Sequence, residues 1–408
     1  MAAKKSIVAI LKGSRPKAKA MLTKGFDLLG GIGRFSPRNK RILLKPNLGY
    51  PEAEGQPPWT CTTDKVVLGA LTEIFREAGT REVIVADGPA HGITGEHMFQ
   101  RTGVKETVEK AGGKVCCLVE TDYVLRKVPG GTLLKEQWLP KVCLDADLIV
   151  NVPKIKPTRV GKFTLGYKNM FGCVPQDERL PWHRTPEHFY LLVDLYKVLP
   201  YHLTVMDGLI IQEGFGPRFG DPVEWGGIIM GRDPVATEAV TMVAMGHEPY
   251  EQSVLAIAAK AGQGTTDLKN IEIRGEKLES IQRYCKVAPG DIFVHPSPNV
   301  TEYLGGACAY CARWVQFTPF PWEIEPQKKY ALLVGNTPRL PESFIEDEVV
   351  VLGNCAARSK SKIEAACRAK GIQPRIIPGC PPDRKMGYLR LHKIDDLPRQ
   401  HKNKRIQG

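Results

Sequence analysis

The feature that most constrains the fold of this chain is a repeated alternation of short β-branched runs with longer stretches of helical period. The candidate strands are SIVAIL, RILLKPN, EVIVADG, KVCCLVE, DLIVNVPK, LTVMDGL and GGIIMG. The candidate helices between them cover residues 17–29, 64–78, 95–111, 186–199 and 234–245. Strands that alternate with helices are typical of parallel βαβ units. The pattern therefore predicts an α/β fold with a doubly wound, mostly parallel sheet.

A second and shorter α/β pattern follows a region in which this regularity is lost. Around residues 286–323 proline, glycine and aromatic residues are frequent, which is typical of a linker or an irregular segment. The runs YALLVGN, EVVVLGN and QPRIIPG then predict three more strands, with a helix over residues 359–370. We expect a large α/β domain over residues 1–285. Residues 286–408 should hold the linker, a smaller C-terminal α/β domain that carries cysteines, and a basic tail.

Charge and cysteine content restrict the partners and the location of the protein. The formal net charge of +13 can attract nucleic acid, an acidic protein or an anionic substrate. No basic stripe with interleaved aromatic residues and no zinc-finger spacing supports specific nucleic-acid recognition. The amino-terminal segment MAAKKSIVAILKGS contains only a short apolar run, and no window resembles a membrane span, so neither secretion nor membrane insertion is expected. Eleven cysteines without a secretion signal then predict reduced thiols in the cytoplasm.

Polar residues follow almost every predicted strand of the large domain. In a parallel sheet these positions share the carboxyl edge, where open α/β folds bind ligands. Ammonium and amide donors beside carboxylates would suit a carboxylate- or phosphate-bearing molecule together with acid/base chemistry. The alternative interpretation is that these residues are ordinary turn residues and scattered surface lysines. The residues expected in this cleft are Lys45, Asn47, Asp87, Asn151, Lys154, Lys156, Lys168, Asn169, Asp207 and Asp233.

The glycine-rich segment from Thr158 to Arg184 is a candidate active-site loop. It contains neither a Walker phosphate loop nor a GxGxxG fingerprint, which disfavours nucleotide hydrolysis and standard dinucleotide binding. At its end, His183 could transfer protons and Arg184 could clamp an anion, although both could equally cap the following helix. Cys173 in the same segment is either a nucleophile or a small buried hydrophobic residue.

The C-terminal region contains a cysteine pattern that suggests a metal centre. Cys308 and Cys311 form a CxxC pair, while Cys355 and Cys380 each follow a predicted strand on either side of one helix. Four thiolates could bind a 4Fe-4S cluster or a zinc ion. The single CxxC pair and the proline after Cys380 favour the cluster over zinc, and unmetallated buried thiols are the third possibility.

Several ordered segments resemble a known family. They are ILLKPNLG, TDKVVLGALTEIFREAGTREVIVADGPA, DLIVNVPKIKPTRVGKFTLGYKNMFGCVP with the later HR, and GRDPVATEAV. Together they span roughly residues 40 to 246 and resemble the domain of unknown function 362. The resemblance implies an α/β domain that is often associated with 4Fe-4S centres through an appended ferredoxin module. This chain departs from that arrangement because it has no CxxCxxCxxxCP run, so its four cysteines would supply a single site.

The resemblance also marks shared positions as the cleft, without a catalytic role. These positions are Lys45, Asn47, Asp87, Lys154, Lys168, Asn169, His183 and Asp233. We expect a cytoplasmic iron-sulfur redox enzyme that acts on an anionic small molecule, with Asp87, His183 and Lys154 in proton transfer and an acidic electron-donor protein as partner. If one cluster iron were open to substrate, a lyase would be expected instead. The alternatives are a non-enzymatic iron-sulfur or metal carrier or assembly factor, and a zinc-stapled non-redox transferase or isomerase.

Overall fold

The computed structural model of this chain divides into two compact units. The larger unit comprises residues 1–287 and 401–408, and the smaller unit comprises residues 288–400. The boundary lies two residues after the one expected at 285/286, and the last eight residues group with the large unit. The described residues are 5–51, 57–90, 93–158, 162–182, 187–217, 219–287, 299–305, 325, 327–335, 340–378 and 405–406.

An eight-stranded sheet is the centre of the large unit. In spatial order its strands are β12 (Ile271–Gly275), β1 (Ser6–Lys12), β11 (Phe219–Gly231), β10 (Leu203–Phe215), β7 (Leu148–Val152), β2 (Arg41–Pro46), β3 (Glu82–Asp87) and β4 (Lys114–Cys117). All neighbouring pairs are parallel except the two that involve β11. The expectation of a mostly parallel sheet is confirmed.

Helices cover both faces of this sheet. They are α1 (Ala18–Leu28), α2 (Lys65–Glu77), α3 (Gly95–Thr102), α4 (Val104–Lys110), α5 (Lys141–Leu144), α6 (Gly166–Met170), α7 (Gln176–Trp182), α8 (His188–Val198), α9 (Pro234–Ala244), α10 (Ser253–Lys260) and α11 (Leu278–Ile281). The single helix expected over residues 95–111 is two helices, because Gly103 between them adopts a left-handed conformation with φ of 64°.

Successive residues of each strand contribute to two different cores. In β1, Val8 and Ile10 pack with α8, α9 and α10, whereas Ala9 and Leu11 pack with α1 and α2. This alternation follows from the two-residue period of a strand, and it explains why the strands are apolar on both faces. The doubly wound arrangement predicted from the sequence is therefore confirmed.

The direction of β11 corrects one expectation about the cleft. The sequence pattern treated GGIIMG as another parallel strand, so Asp233 after it was expected at the carboxyl edge. In the structure β11 returns from β10 as the second strand of a long hairpin and runs antiparallel to both neighbours. Its end therefore lies at the amino edge, where the hydroxyl of Ser6, at the start of β1, donates to Asp233 Oδ2 at 2.6 Å. Asp233 is not part of the expected cleft.

Smaller strands complete the large unit. β5 (Tyr123–Lys127) pairs with β6 (Glu136–Pro140) in an antiparallel hairpin, and β17 (Arg405–Ile406) pairs with β5 in parallel. The two-residue strands β8 (Lys156–Pro157) and β9 (Phe163–Thr164) also pair. Strands β5 and β6 were not expected from the sequence. No helix within the described ranges is long and apolar enough to cross a membrane.

The smaller unit contains a four-stranded parallel sheet. Its strands, in order, are β13 (Val300–Leu304), β14 (Tyr330–Val334), β15 (Glu348–Leu352) and β16 (Arg375–Ile377). Helices α12 (Gly353–Ala357) and α13 (Lys360–Arg368) follow β15, and Ile363 and Cys367 of α13 pack against this sheet. The expected second α/β region is confirmed.

Candidate functional site

Two lysine–aspartate ion pairs are buried at the carboxyl edge of the large sheet. Lys45 lies on β2 and Asp87 ends the neighbouring β3, and Lys45 Nζ is 2.6 Å from Asp87 Oδ1. The backbone N–H groups of Gly88 and Leu48 also donate to the Asp87 carboxylate, at 2.8 and 2.5 Å. Asp87 is therefore an acceptor for three donors, and its carboxylate holds the lysine and the loop after β2 in place.

The second pair lies on the other side of β7. Lys154 follows β7, Asp207 lies on β10, both side chains are fully buried, and Lys154 Nζ is 3.1 Å from Asp207 Oδ2. Asp207 also accepts from the backbone N–H of Asp64 at 2.7 Å. Burial raises the pKa of Asp207, and the nearby Lys154 ammonium opposes this shift. Asp64 begins helix α2 and forms an ion pair with Arg15 at 2.6 Å, so the pair is connected to the first helix layer.

Lys156 is the third buried lysine at this edge, and it differs from the other two. Its ammonium group donates to Asn47 Oδ1 at 2.9 Å and to the carbonyl oxygen of Cys61. Both acceptors are neutral, and in the described part of the chain no carboxylate lies within ion-pair distance of Lys156. Burial lowers the pKa of Lys156 to about 8.

A chain of side-chain amides connects the lysines. Asn47 Nδ2 donates to Asn169 Oδ1 at 3.1 Å, and Asn169 Nδ2 donates to Asn151 Oδ1 at 2.8 Å and to the carbonyl oxygen of Lys45 at 2.9 Å. Asn169 lies on α6, and the buried Glu238 of α9 accepts the backbone N–H of Tyr167 at the start of that helix. Burial raises the pKa of Glu238 to about 8. The amides therefore fix the relative positions of β2, β7 and α6.

The structure brings most of the residues expected in the cleft together. Those that lie in this one hydrogen-bonded group are Lys45, Asn47, Asp87, Asn151, Lys154, Lys156, Asn169 and Asp207. Lys168 is half-buried on α6 beside Asn169. Asp233 lies at the opposite edge, where it caps α9 by accepting from the N–H of Ala236 at 2.8 Å. His183 and Arg184 lie outside the described residues.

The proposed metal site falls largely on residues that are not described. Cys308, Cys311 and Cys380 lie outside the described ranges. Cys355 is half-buried in α12, directly after β15, as expected from its position behind a predicted strand. Among the described residues no group of three or more His, Cys, Asp or Glu side chains is arranged to hold a metal ion. The four-cysteine site therefore stays a prediction.

Sequence reasoning missed several polar residues at this edge. Asp64 was noted only as a helix start, and its N-cap position was the available signal. Arg179 of α7 and Tyr123 of β5 carried no signal, because neither follows a predicted strand of the large sheet. Cys173 packs with its thiol 4.0 Å from that of Cys143. The hydrogen bond between the two thiols lowers the pKa of Cys173 and raises that of Cys143.

The arrangement can bind negative charge at a dry surface. Three buried ammonium groups face two buried carboxylates in the two ion pairs, so the group carries an excess of positive charge when Lys156 is protonated. Electrostatic interactions are strong in such an environment because little water screens them. A pKa of about 8 also means that Lys156 can exchange its proton close to neutral pH.

Comparison with known families and proteins gives a family and one curated relative. Residues 42–243 match the model of the family described as Domain of unknown function (DUF362). The chain is 29% identical over 273 residues to the thylakoid-associated protein sll1697 of Synechocystis sp., and the alignment covers 64% of this chain and 80% of that protein.

Two solved structures are also similar, at low overlap. One is the lactate racemase apoprotein of Thermoanaerobacterium thermosaccharolyticum, at 14% identity and a TM-score of 0.36 over 52% of this chain and 51% of that chain. The other is a structural genomics target from Thermotoga maritima, at 12% identity and a TM-score of 0.35 over 61% of this chain and 60% of that chain. This chain thus aligns with less than two thirds of either structure.

Proposed function

We propose that this chain, whose residues 42–243 belong to the DUF362 family, is an enzyme that binds an anionic small molecule at the carboxyl edge of its large sheet. The observation that carries the proposal is Lys156, which is 2% exposed and donates only to neutral acceptors among the described residues. A buried ammonium group without a counter-ion is destabilising by several kcal/mol. A carboxylate or phosphate group of a substrate would supply the missing charge.

The paired lysines support the same proposal in a different way. Lys45 and Lys154 are each held by an aspartate, so their positions are fixed before any ligand arrives. Fixed charges that need no reorganisation are the main source of electrostatic stabilisation in enzymes. Asp87 already accepts three hydrogen bonds, which favours an orienting role for it over that of a general base. Lys156 joins His183 and Lys154 as a candidate for proton transfer, because its pKa of about 8 is close to neutral.

The redox part of the proposal rests on the cysteine spacing. Cys308, Cys311, Cys355 and Cys380 would hold a 4Fe-4S cluster that supplies electrons, with an acidic electron-donor protein as partner. A zinc ion at the same four cysteines is the alternative, and it would leave a non-redox enzyme with the same cleft. We propose a cytoplasmic location for either form.

The anion site is tested by ligand-induced stabilisation. Phosphate- and carboxylate-bearing ligands should raise the thermal midpoint of the parent protein, since a ligand that binds only the native state stabilises it. The Lys156→Met variant should lose most of this increase. Lys24→Met is the matched control, because Lys24 is an exposed lysine on α1 that makes only a long ion pair of 3.7 Å. Equal increases in all three proteins would refute the site.

The metal centre is tested separately on protein purified without oxygen. Iron, acid-labile sulfide and zinc should be measured in the parent, in Cys355→Ser and in Cys380→Ser. About four irons per chain are expected in the parent, as a cubane cluster requires, with a loss in both variants. Cys116→Ser is the control, because Cys116 lies on β4 of the large sheet. One zinc and no iron would favour the non-redox alternative, and full metal content in both variants would exclude the four-cysteine site.

A further inference from the structure

Two buried hydrogen-bond donors near the Lys45–Asp87 pair have no acceptor among the described residues. Tyr123 is 1% exposed, and its hydroxyl makes no hydrogen bond. Arg179 Nη2 is likewise buried and unpartnered, whereas Nε donates to Val174 O at 2.7 Å and Nη1 donates to Pro89 O at 3.3 Å. Those two bonds fix the guanidinium plane, so that one nitrogen is left without an acceptor.

Arg179 lies against the same glycines that line the Lys45–Asp87 pair. A Cβ at Gly172 would lie 3.0 Å from both Lys45 Nζ and Asp87 Oδ1. A Cβ at Gly88 would lie 2.7 Å from Arg179 Nη2 and 3.5 Å from the carbonyl oxygen of Gly172. The absence of side chains at these two positions therefore allows the guanidinium group to lie beside the ion pair.

The Tyr123 hydroxyl belongs to the same cluster. Burial raises the pKa of Tyr123, and the Arg179 guanidinium opposes part of this shift, so the two groups are within electrostatic reach of each other. The phenol therefore stays protonated at any working pH and acts as a donor. Unmet buried donors are costly, particularly when one of them is charged. The cluster is thus arranged for an acceptor that carries negative charge.

We propose that Arg179 Nη2 and the Tyr123 hydroxyl form a carboxylate-binding subsite beside the Lys45–Asp87 pair, which holds one carboxylate of the substrate. This inference rests on the proposed function, because it names the substrate class as a carboxylate. Two fixed donors match the two oxygens of a carboxylate, whereas a phosphate group has more oxygens and needs more donors. Neither residue was among those expected from the sequence.

The test uses acetate and malonate as probes and inorganic phosphate for comparison. Their affinities should be measured by calorimetry for the parent, Tyr123→Phe and Arg179→Lys. Tyr123→Phe should weaken acetate and malonate binding about tenfold, as expected for one hydrogen bond to a charged group. Arg179→Lys should weaken both further, because a lysine cannot keep the three directed contacts of the guanidinium. Tyr190→Phe, at an exposed tyrosine of α8, is the matched control.

The stability of the unliganded protein separates a binding role from a structural one. Tyr123→Phe removes a hydroxyl without a partner, so the free variant should be at least as stable as the parent. A lower thermal midpoint of the free variant would assign the hydroxyl a structural role and overturn the subsite.

Comparison with Lys156→Met distinguishes the two proposals. If Tyr123→Phe and Arg179→Lys bind carboxylates like the parent while Lys156→Met does not, the subsite is wrong and the proposed anion site stands. If the first two variants lose binding and Lys156→Met retains it, the subsite stands and the role of Lys156 is wrong.

Discussion

At the carboxyl edge of the large sheet Asp207 is fully buried and pairs with Lys154, whereas at the amino edge Asp233 is half-buried and caps α9. Both aspartates lie in or directly behind a β-branched run, and both accept a backbone N–H at the start of a helix region. The difference is that Asp207 shares its surroundings with two more buried lysines, while Asp233 bonds to the neutral hydroxyl of Ser6. The same residue type is thus part of an ion network at one edge and a helix cap at the other.

Breaking the ion network should have the largest effect. Asp207→Asn leaves the Lys154 ammonium buried without its carboxylate, so the free energy of unfolding should fall by about 3–5 kcal/mol. Urea unfolding measures this loss. Asp145→Asn is the control, because its ion pair with Lys141 is largely exposed and should contribute less than about 1 kcal/mol. A loss in Asp207→Asn as small as in the control would contradict the description of this edge as an ion network.

The double variant Lys154→Met/Asp207→Asn refines this prediction. Removal of both charges leaves no unpaired ion, so stability should recover a large part of what Asp207→Asn alone loses. A double variant no more stable than the single one would indicate that Asp207 acts mainly as an acceptor for the N–H of Asp64.

Lys156→Met should increase stability at neutral pH, which is typical of a residue kept for function. Burial lowers the pKa of Lys156 from 10.5 to about 8, so the unfolded chain binds more protons between these two pH values. The contribution of Lys156 to stability is therefore present above pH 10.5 and is lost as the pH falls through about 8. Below that pH the Met variant should be more stable by at most about 3 kcal/mol, reduced by the two acceptors that lose their donor.

The pH dependence of unfolding checks this sign. The advantage of Lys156→Met over the parent should be constant below pH 8 and should shrink as the pH rises toward 10.5. An advantage that grew over this range would show that the ammonium group stabilises the native state.

Asp233→Ala should have the smallest effect. The variant loses a helix cap and the bond from Ser6, which together contribute about 1–2 kcal/mol. Because Asp233 lies at the amino edge, the stabilisation by anionic ligands should stay at the parental value. Thermal unfolding with and without phosphate measures both quantities, and a loss of the ligand effect would mean that the two edges are coupled.

The candidate site was predictable to the extent that it depends on strand ends. Lys45, Asp87, Asn151 and Lys154 lie in or just behind parallel strands, so their common edge follows from the alternation of strands and helices alone. Arg179 and Tyr123 reach the site from a short helix and from a hairpin outside the large sheet. No local pattern records that approach, because it depends on packing between distant segments.

Apolar periodicity and strand-end chemistry by themselves determined the α/β class, the two-sided packing of the sheet and the second α/β region. These are local properties, since each strand carries its own two-residue period and each helix its own apolar face. Only the tertiary structure decided the direction of β11, which depends on its pairing with both β10 and β1. It also decided which lysine lacks a carboxylate, because Lys154 and Lys156 are two residues apart in the sequence and differ only in what the folded chain brings to them. Side-chain partners over such distances follow from packing, and a single sequence does not record them.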